Sequence, residues 1–264
     1  MTEPNLDKSV VNWKRCSRLA AAIALLALGG CATAPQAVDP RDPLEPANRK
    51  VTAFNEAVDN ALLKPVAIAY RDNIPPVVRT GVSNFFGNLS DVWSALNSLM
   101  QLEVDHAAEN LMRFNVNTVF GLGGLLDIAS DANLERHRED FGQTLGRWGV
   151  HTGPYIVLPL LGPSTMRDAM ALPIDWRGDP VRYADPAWRN GLNALRVVNA
   201  RANLLRVSSV LDEAALDKYT FTRDAHLQRR QAEVLETNGR GKESDGAEPP
   251  LPEPATPAPQ QPAR

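Results

Sequence analysis

The stretch NFFGNLSDVWSALNSLMQ (Asn84 to Gln101) constrains the fold of this chain more than any other. Its large apolar residues are Phe85, Phe86, Leu89, Val92, Trp93, Leu96, Leu99 and Met100, which fall on one stripe of a 3.6-residue helix. The opposite face reads Asn84, Asn88, Ser90, Asp91, Ser94, Asn97, Ser98 and Gln101, and one of those eight is ionisable. A helix facing water normally charges that side. The poverty of charge continues from Asn73 to Ile128, where seven of 56 residues are charged against 22% for the whole chain. Neutral amides and hydroxyls can enter semi-polar surroundings at about a few kcal/mol each, whereas a lone charge costs far more. Two readings are open on pattern alone. Such helices stand between lipid and a narrow polar passage, or they are buried helices of an ordinary soluble bundle.

The N-terminal segment favours the first. Lys14, Arg15 and Arg18 precede an uncharged run from Leu19 to Gly30 made only of Ala, Leu, Ile and Gly, and the run ends in Leu28-Gly29-Gly30-Cys31. Twelve residues are too few to span a bilayer as a helix, which takes about 20. They fit a secretory signal peptide, and the Leu-Gly-Gly-Cys tetrad has the shape of a lipobox, with cleavage before an acylated Cys31. Residues 1–30 then read as signal peptide and 31–40 as a tether. Acyl chains on Cys31 would hold the domain at a membrane interface. Cys16 lies in the segment to be removed, so the mature chain has no internal disulfide and relies on packing. No later apolar run reaches the length of a transmembrane helix.

Residues 41–236 read as a single all-α domain. Val51, Phe54, Val58 and Leu62 recur at helical spacing, and Pro65 is expected to close that helix. A helix is expected from Asp105 to Phe120, with Gly121 as a left-handed cap. Two more are expected over Ala187–Val207 and Asp212–Glu236. The Gly- and Pro-rich stretch from Asp127 to Asp185 resists assignment, and no run alternates long enough to demand a sheet. Residues 237–264 hold seven prolines and almost no large apolar side chains, the composition of a disordered tail.

Signatures of chemistry are missing. After removal of residues 1–30 the formal charge is about −5, with no block of Lys and Arg to grip a phosphate backbone, which argues against a nucleic-acid partner. FGLGGLLD (Phe120 to Asp127) lacks the last glycine of a dinucleotide fingerprint, and its glycines fit a sharp turn or close packing instead. His106, His137, His151 and His226 stand at no metal-ligand spacing, and Ser83 and Ser164 lack the frame of a nucleophile elbow. Arg136, Arg138, Glu139 and Asp140 read as a solvated face or an ion-pair network. No cofactor, metal or catalytic residue is implied.

Several long motifs occur in order: DPLEPANR (Asp42 to Arg49) with Phe54-Asn55, NFFGNL (Asn84 to Leu89), RFNVNTVFGLGGLLDIAS (Arg113 to Ser130), EDFGQTLGRWGV (Glu139 to Val150) and GPYIVLPLLGPSTMRD (Gly153 to Asp168). Together they resemble the MlaA (VacJ) outer-membrane lipoproteins. Thr52 stands where that family often has a large apolar residue, and Leu102 where it usually has glycine. The segment from Met170 to Pro186 fits no family pattern. The resemblance implies a ring-like, all-helical lipoprotein on the periplasmic face of the outer membrane, embedded in its inner leaflet. In that family a central amphipathic channel removes stray phospholipids from the outer leaflet and passes them to a periplasmic carrier (MlaC), and the proteins associate with trimeric porins. Ala32 after the acylated cysteine agrees with outer-membrane sorting.

On this reading Asn84, Asn88, Ser94, Asn97, Asn117 and Asp127 are candidates for the lipid passage or its rim, and Phe54 with Asn55 for a hinge. The competing expectations are an envelope enzyme such as a phospholipase, and a purely structural porin-associated lipoprotein.

Overall fold

A computed structural model describes residues 39–237. The segment expected to be a signal peptide (residues 1–30), Cys31 and the proline-rich stretch 238–264 lie outside the described residues. The described elements, in order, are α1 (Glu45–Val58), a π-helical turn (Asp59–Leu63), α2 (Lys64–Asn73), α3 (Pro76–Met100), α4 (Val104–Val119), α5 (Ile128–Asp131), α6 (Phe141–Arg147), β1 (Tyr155–Leu158), β2 (Gly162–Thr165), α7 (Met166–Gly178), a 3-10 turn (Pro180–Tyr183), α8 (Pro186–Ala214) and α9 (Lys218–Thr237). The fold is all-α but for one antiparallel hairpin, in which Tyr155 pairs with Thr165 and Leu158 with Gly162.

Several boundaries differ from the sequence expectation. Pro65 does not end the first helix. The π-helical turn before it takes up the amide bond that proline cannot make, and the helix resumes at Lys64. Helix α3 starts eight residues earlier than expected, where Pro75 fixes an extended entry and Pro76 opens the first turn. Asp212 belongs to the end of α8 and does not start the next helix. Gly121 is not a left-handed cap: the positive φ values fall on Leu122, Gly123 and Gly124. A Cβ on Gly121 would strike the carbonyl oxygens of Asn117 and Leu126, so this glycine serves close packing.

The short hairpin is held by α1. Asn48 Nδ2 donates to the Tyr155 carbonyl (3.1 Å) and its Oδ1 accepts from the Val157 amide (2.9 Å). Two turns on, Asn55 repeats the pattern, donating to the Leu158 carbonyl (3.0 Å) and accepting from the Leu160 amide (2.7 Å). These amide side chains satisfy the free edge of β1 as a third strand would. Phe54, beside Asn55, is exposed. Close by, Tyr155, Val157 and Tyr219 form a small apolar core with Val51 and Leu227 against it.

Candidate functional site

Helices α3 and α4 pack as an antiparallel hairpin with their polar faces turned inward. Asn88, Asp91, Ser94, Asn97 and Ser98 on α3 and Gln101 at its C-terminal cap are buried, and so are Asn110, Arg113 and Asn117 on α4. Outside lie Leu96 (46% exposed), Leu99 (51%), Leu111 (52%) and Met112 (55%). A helix pair in water does the reverse. The apolar exterior continues over Phe120, Leu122, Leu125 and Leu126 at one end of the hairpin and Leu102 and Val104 at the other. No described helix is long and apolar enough to cross a membrane.

The buried polar groups grip an extended segment, residues 134–140, in the groove between the two helices. Asn110 donates to the His137 carbonyl (2.8 Å) and accepts from its amide (3.1 Å). Ser94 makes the same reciprocal pair with the Glu139 backbone. Gln101 reaches the Glu139 carboxylate at 2.9 Å, and Thr144 donates to Asn97 at 2.9 Å. Arg113 donates to the Leu134 carbonyl and binds Asp127 at 2.7 Å. Asp91 sits beside both Arg113 and Arg136, at 3.8 and 2.9 Å. Burial pushes the Asp91 carboxyl up, against the pull of Arg136 and Arg113. Burial acts the same way on Asp127, but hydrogen bonds from Ser130 and Asn117 and the Arg113 charge outweigh it and hold its pKa low. The network also places the turn after α4: Gly124 has φ +91°, and a Cβ there would run into the Asn88 side chain. Each of these polar side chains meets a backbone group, a counter-charge or another polar side chain, which is the condition for burying it, while Asn88 Oδ1 and Gln101 Oε1 find no partner among the described residues.

On the far side of this layer is a cavity of about 560 Å³. It is lined from α3, residues 138–143, α7, the 3-10 turn, α8 and α9, so most of the chain converges on it. Its walls mix aromatic and charged groups. Trp93 donates to Asp175 at 2.8 Å, and the Phe141 amide meets the same carboxylate oxygen at 2.8 Å. Burial raises the pKa of Asp175. The Trp93 ring lies flush on Gly178, where a Cβ would fall inside it. Arg230 binds Asp140 (2.8 Å), Asp168 (2.9 Å) and Glu233 (2.9 Å). Its burial opposes the charge, yet Asp140 and Asp168 more than restore it. Arg196 makes a two-pronged pair with Asp179 and lies 4.8 Å over the Phe86 ring.

This cavity shares Trp176, Asp179 and Arg196 with a second of about 790 Å³, and Arg230 with a third of about 420 Å³. The first cavity thus adjoins each of the other two, and all three are bordered by charged side chains, with aromatic rings at the first and second.

Of the six residues expected at a passage, Ser94 lines the central cavity. Asn84 and Asp127 line a separate pocket of about 400 Å³ between the start of α3 and the glycine turn. Asn88, Asn97 and Asn117 are wholly enclosed in the polar layer. The residues that sequence reasoning missed are Trp93, Arg138, Asp175, Arg196 and Arg230. One signal was present: the cluster Arg136 to Asp140 supplies Arg138 and Asp140 to the cavity and Arg136 to the buried network, so it is an ion-pair network more than a solvated face. Among the described residues no group of His, Cys, Asp and Glu could hold a metal. His137 stacks on His106 at 3.8 Å and meets Glu109.

Residues 40–233 match the family described as MlaA lipoprotein. The Escherichia coli "Intermembrane phospholipid transport system lipoprotein MlaA" is 36% identical over 220 residues, which cover 81% of this chain and 86% of that protein. Its Haemophilus influenzae namesake is 33% identical over 231 residues, 82% and 89% of the two chains. An uncharacterized protein of Rickettsia bellii is 36% identical over 196 residues, 73% of this chain and 76% of that one. A solved structure reported as the "Structural basis for maintenance of bacterial outer membrane lipid asymmetry" superposes with a TM-score of 0.65 at 34% identity, covering 73% of this chain and 98% of that one. The chain belongs to the MlaA lipoprotein family.

Proposed function

We propose that this protein is an outer-membrane lipoprotein that takes mislocalised phospholipids from the outer leaflet and hands them to a periplasmic carrier of the MlaC type, so maintaining lipid asymmetry. The observation that carries this is the inversion of α3 and α4. Apolar faces point outward and polar groups inward, and the inward side backs onto a chain of adjoining cavities. That arrangement suits a body bathed in acyl chains that offers headgroups a polar route. The relatives named for intermembrane phospholipid transport support the same reading. The work is binding and passage, without covalent chemistry.

Residues 1–30 act as the signal peptide in this account, and Cys31 carries the acyl anchor that delivers and orients the domain. Two or more acyl chains hold a protein stably where one holds it marginally. Trimeric porins are the proposed lateral partners. Phe54 and Asn55 are the proposed hinge, because Asn55 fastens α1 to the tip of the hairpin.

Lipid analysis of the detergent-extracted protein tests the reading, together with outer-leaflet phospholipid measured in a deletion strain. Co-purifying phospholipid and a surface surplus in the deletion are expected. Lipid-free protein with normal asymmetry would end the proposal. A Cys31→Ala protein that complemented the deletion at native level would remove the anchor from it.

A further inference from the structure

The three adjoining cavities differ in charge. The central cavity carries four guanidinium groups against five carboxylates, and Arg196 and Arg230 are matched to carboxylates within 2.5–3.1 Å. The cavity of about 790 Å³ carries three guanidinium groups, Arg182, Arg189 and Arg196, against the single carboxylate of Asp179. Arg196 already holds Asp179 in a two-pronged pair. Arg182 and Arg189 face this cavity without an ion pair within 4 Å among the described residues; Asp185, at the start of α8, lies outside the cavity lining. Arg189 is only half-exposed, so its charge is partly withdrawn from water without a protein counter-ion.

The placement is also geometric. Arg189, Asn193 and Arg196 stand at i, i+4 and i+7 on α8, one stripe of the helix, and Arg182 comes from the 3-10 turn just before it. Guanidinium forks and an amide converging from two elements match the oxygens of a phosphate ester. The same cavity has apolar walls in Leu161, at the hairpin tip, Trp176 and Val197. A free inorganic anion would gain nothing from those walls, whereas a phosphate that carries acyl chains would.

We infer that the Arg182–Arg189–Asn193 pocket is a receiving subsite for the phosphate group of a phospholipid, where the headgroup is held before it passes the Arg196–Asp179 pair into the central cavity. This rests on the passage reading. The polarity follows from the charges: the receiving cavity has net positive groups and binds the phosphate, while the central cavity, with one carboxylate in excess, holds it less firmly and lets it move on. Preference goes to the phosphate itself, so headgroups that differ beyond the phosphate are treated alike.

The test uses the purified full chain in non-ionic detergent micelles, which present no anionic membrane surface. The probe is an acyl-labelled phosphatidylglycerol, competed by unlabelled phospholipid, by diacylglycerol with the same chains, and by inorganic phosphate. The wild type is expected to favour phospholipid over diacylglycerol about tenfold or more, the worth of one to two charge-assisted hydrogen bonds. R182Q/R189Q is expected to lose that preference, and R182K/R189K to keep part of it. Inorganic phosphate at millimolar concentration is expected not to displace the probe. The side chains substituted make no bonds that hold the fold, and unchanged helicity by circular dichroism checks this; R182Q alone, at an exposed position, is the reserve variant, with a smaller loss expected. A double variant that binds and discriminates like the wild type overturns the subsite, and so does full displacement by inorganic phosphate. A loss confined to anionic vesicles, with micellar binding unchanged, overturns it in favour of surface attraction. Wild-type protein that binds no phospholipid at all sinks the passage reading instead, so the two failures are distinguishable.

Discussion

Helices α3 and α9 are built on opposite plans. Helix α3 has two charged residues, Arg79 and Asp91, in 25, buries its amides and exposes its leucines. Helix α9 carries Lys218, Arg223, Asp224, Arg229, Arg230, Glu233 and Glu236 in 20 residues, and contributes Tyr219 to an apolar core. Arg229 stands out in solvent beside Glu233, and Arg223 and Arg230 turn inward onto carboxylates. One helix is arranged for a surrounding that cannot solvate charge, the other for water. A single small domain thus has an apolar, uncharged side and a charged side, which the proposed function reads as its lipid and aqueous sides. The inversion of α3 and α4 is possible because most inward polar groups are bonded, to residues 134–140 at Ser94, Asn110 and Arg113, and to Thr118, Asp127 and Thr144 at Asn88, Asn117 and Asn97.

That contrast can be broken at several points. The largest effect is expected at Arg113, whose removal leaves Asp91 and Asp127 short of a counter-charge in a closed layer. Arg113→Ala should cost about 3–5 kcal/mol in detergent-micelle unfolding, while Arg229→Ala on the watery side should cost about 0–1 kcal/mol. Equal costs would mean that the layer is not the closed one described. Next comes the outer face. Leu96→Lys should leave folding in micelles nearly untouched yet weaken vesicle association by up to about 3 kcal/mol, and Ala232→Lys on α9 should change neither.

Acid sharpens the aqueous side. Burial works to raise the Asp168 carboxyl, but the charges of Arg230 and Arg167 hold it below the usual range. A carboxylate with a lowered folded pKa adds stability that is present in full above the unfolded pKa of about 3.9 and lost as pH falls below it. The stability gap between wild type and Asp168→Asn should therefore be widest at pH 6 and narrow below about pH 4; a gap independent of pH would separate Asp168 from Arg230. The smallest effect is at Leu102, which has φ +65° and is almost fully exposed. Leu102→Gly relieves a left-handed leucine and should stabilise by about 0.5–1 kcal/mol, the relief being partly offset by the freedom glycine gains when unfolded.

Leu102 also shows what was legible beforehand. The family resemblance marked it as the place where glycine is usual, and the left-handed backbone there gives the physical reason. The helices around Asn84–Gln101 and Asp105–Phe120 were readable because a 3.6-residue stripe is a local property. Their inversion was half-readable: the uncharged polar face was plain, but which face turned inward depended on residues 134–140, which carry no periodic signal. Asn97 shows the consequence. It read as a passage residue, and it is enclosed and bonded to Thr144, so Asn97→Lys would bury a lone charge in the polar layer and disturb the fold before any passage. The cavity-lining groups come from segments more than 100 residues apart, as with Trp93 and Arg196, and no local pattern brings those together. Met170 to Pro186, which matched no pattern, continues α7 to Gly178 despite Pro173 and then forms the 3-10 turn, and it supplies Asp175 and Trp176 to the site.

The central claim is that the outward face of α3 lies in lipid while α9 lies in water. A photoreactive diazirine amino acid placed at Leu96, and in a second protein at Ala232, which is exposed on α9 and lines none of the three cavities, tests it in reconstituted phospholipid vesicles. The account predicts a phospholipid-acyl adduct by mass spectrometry at position 96 and none at position 232. Adducts at both positions, or at neither, would contradict it.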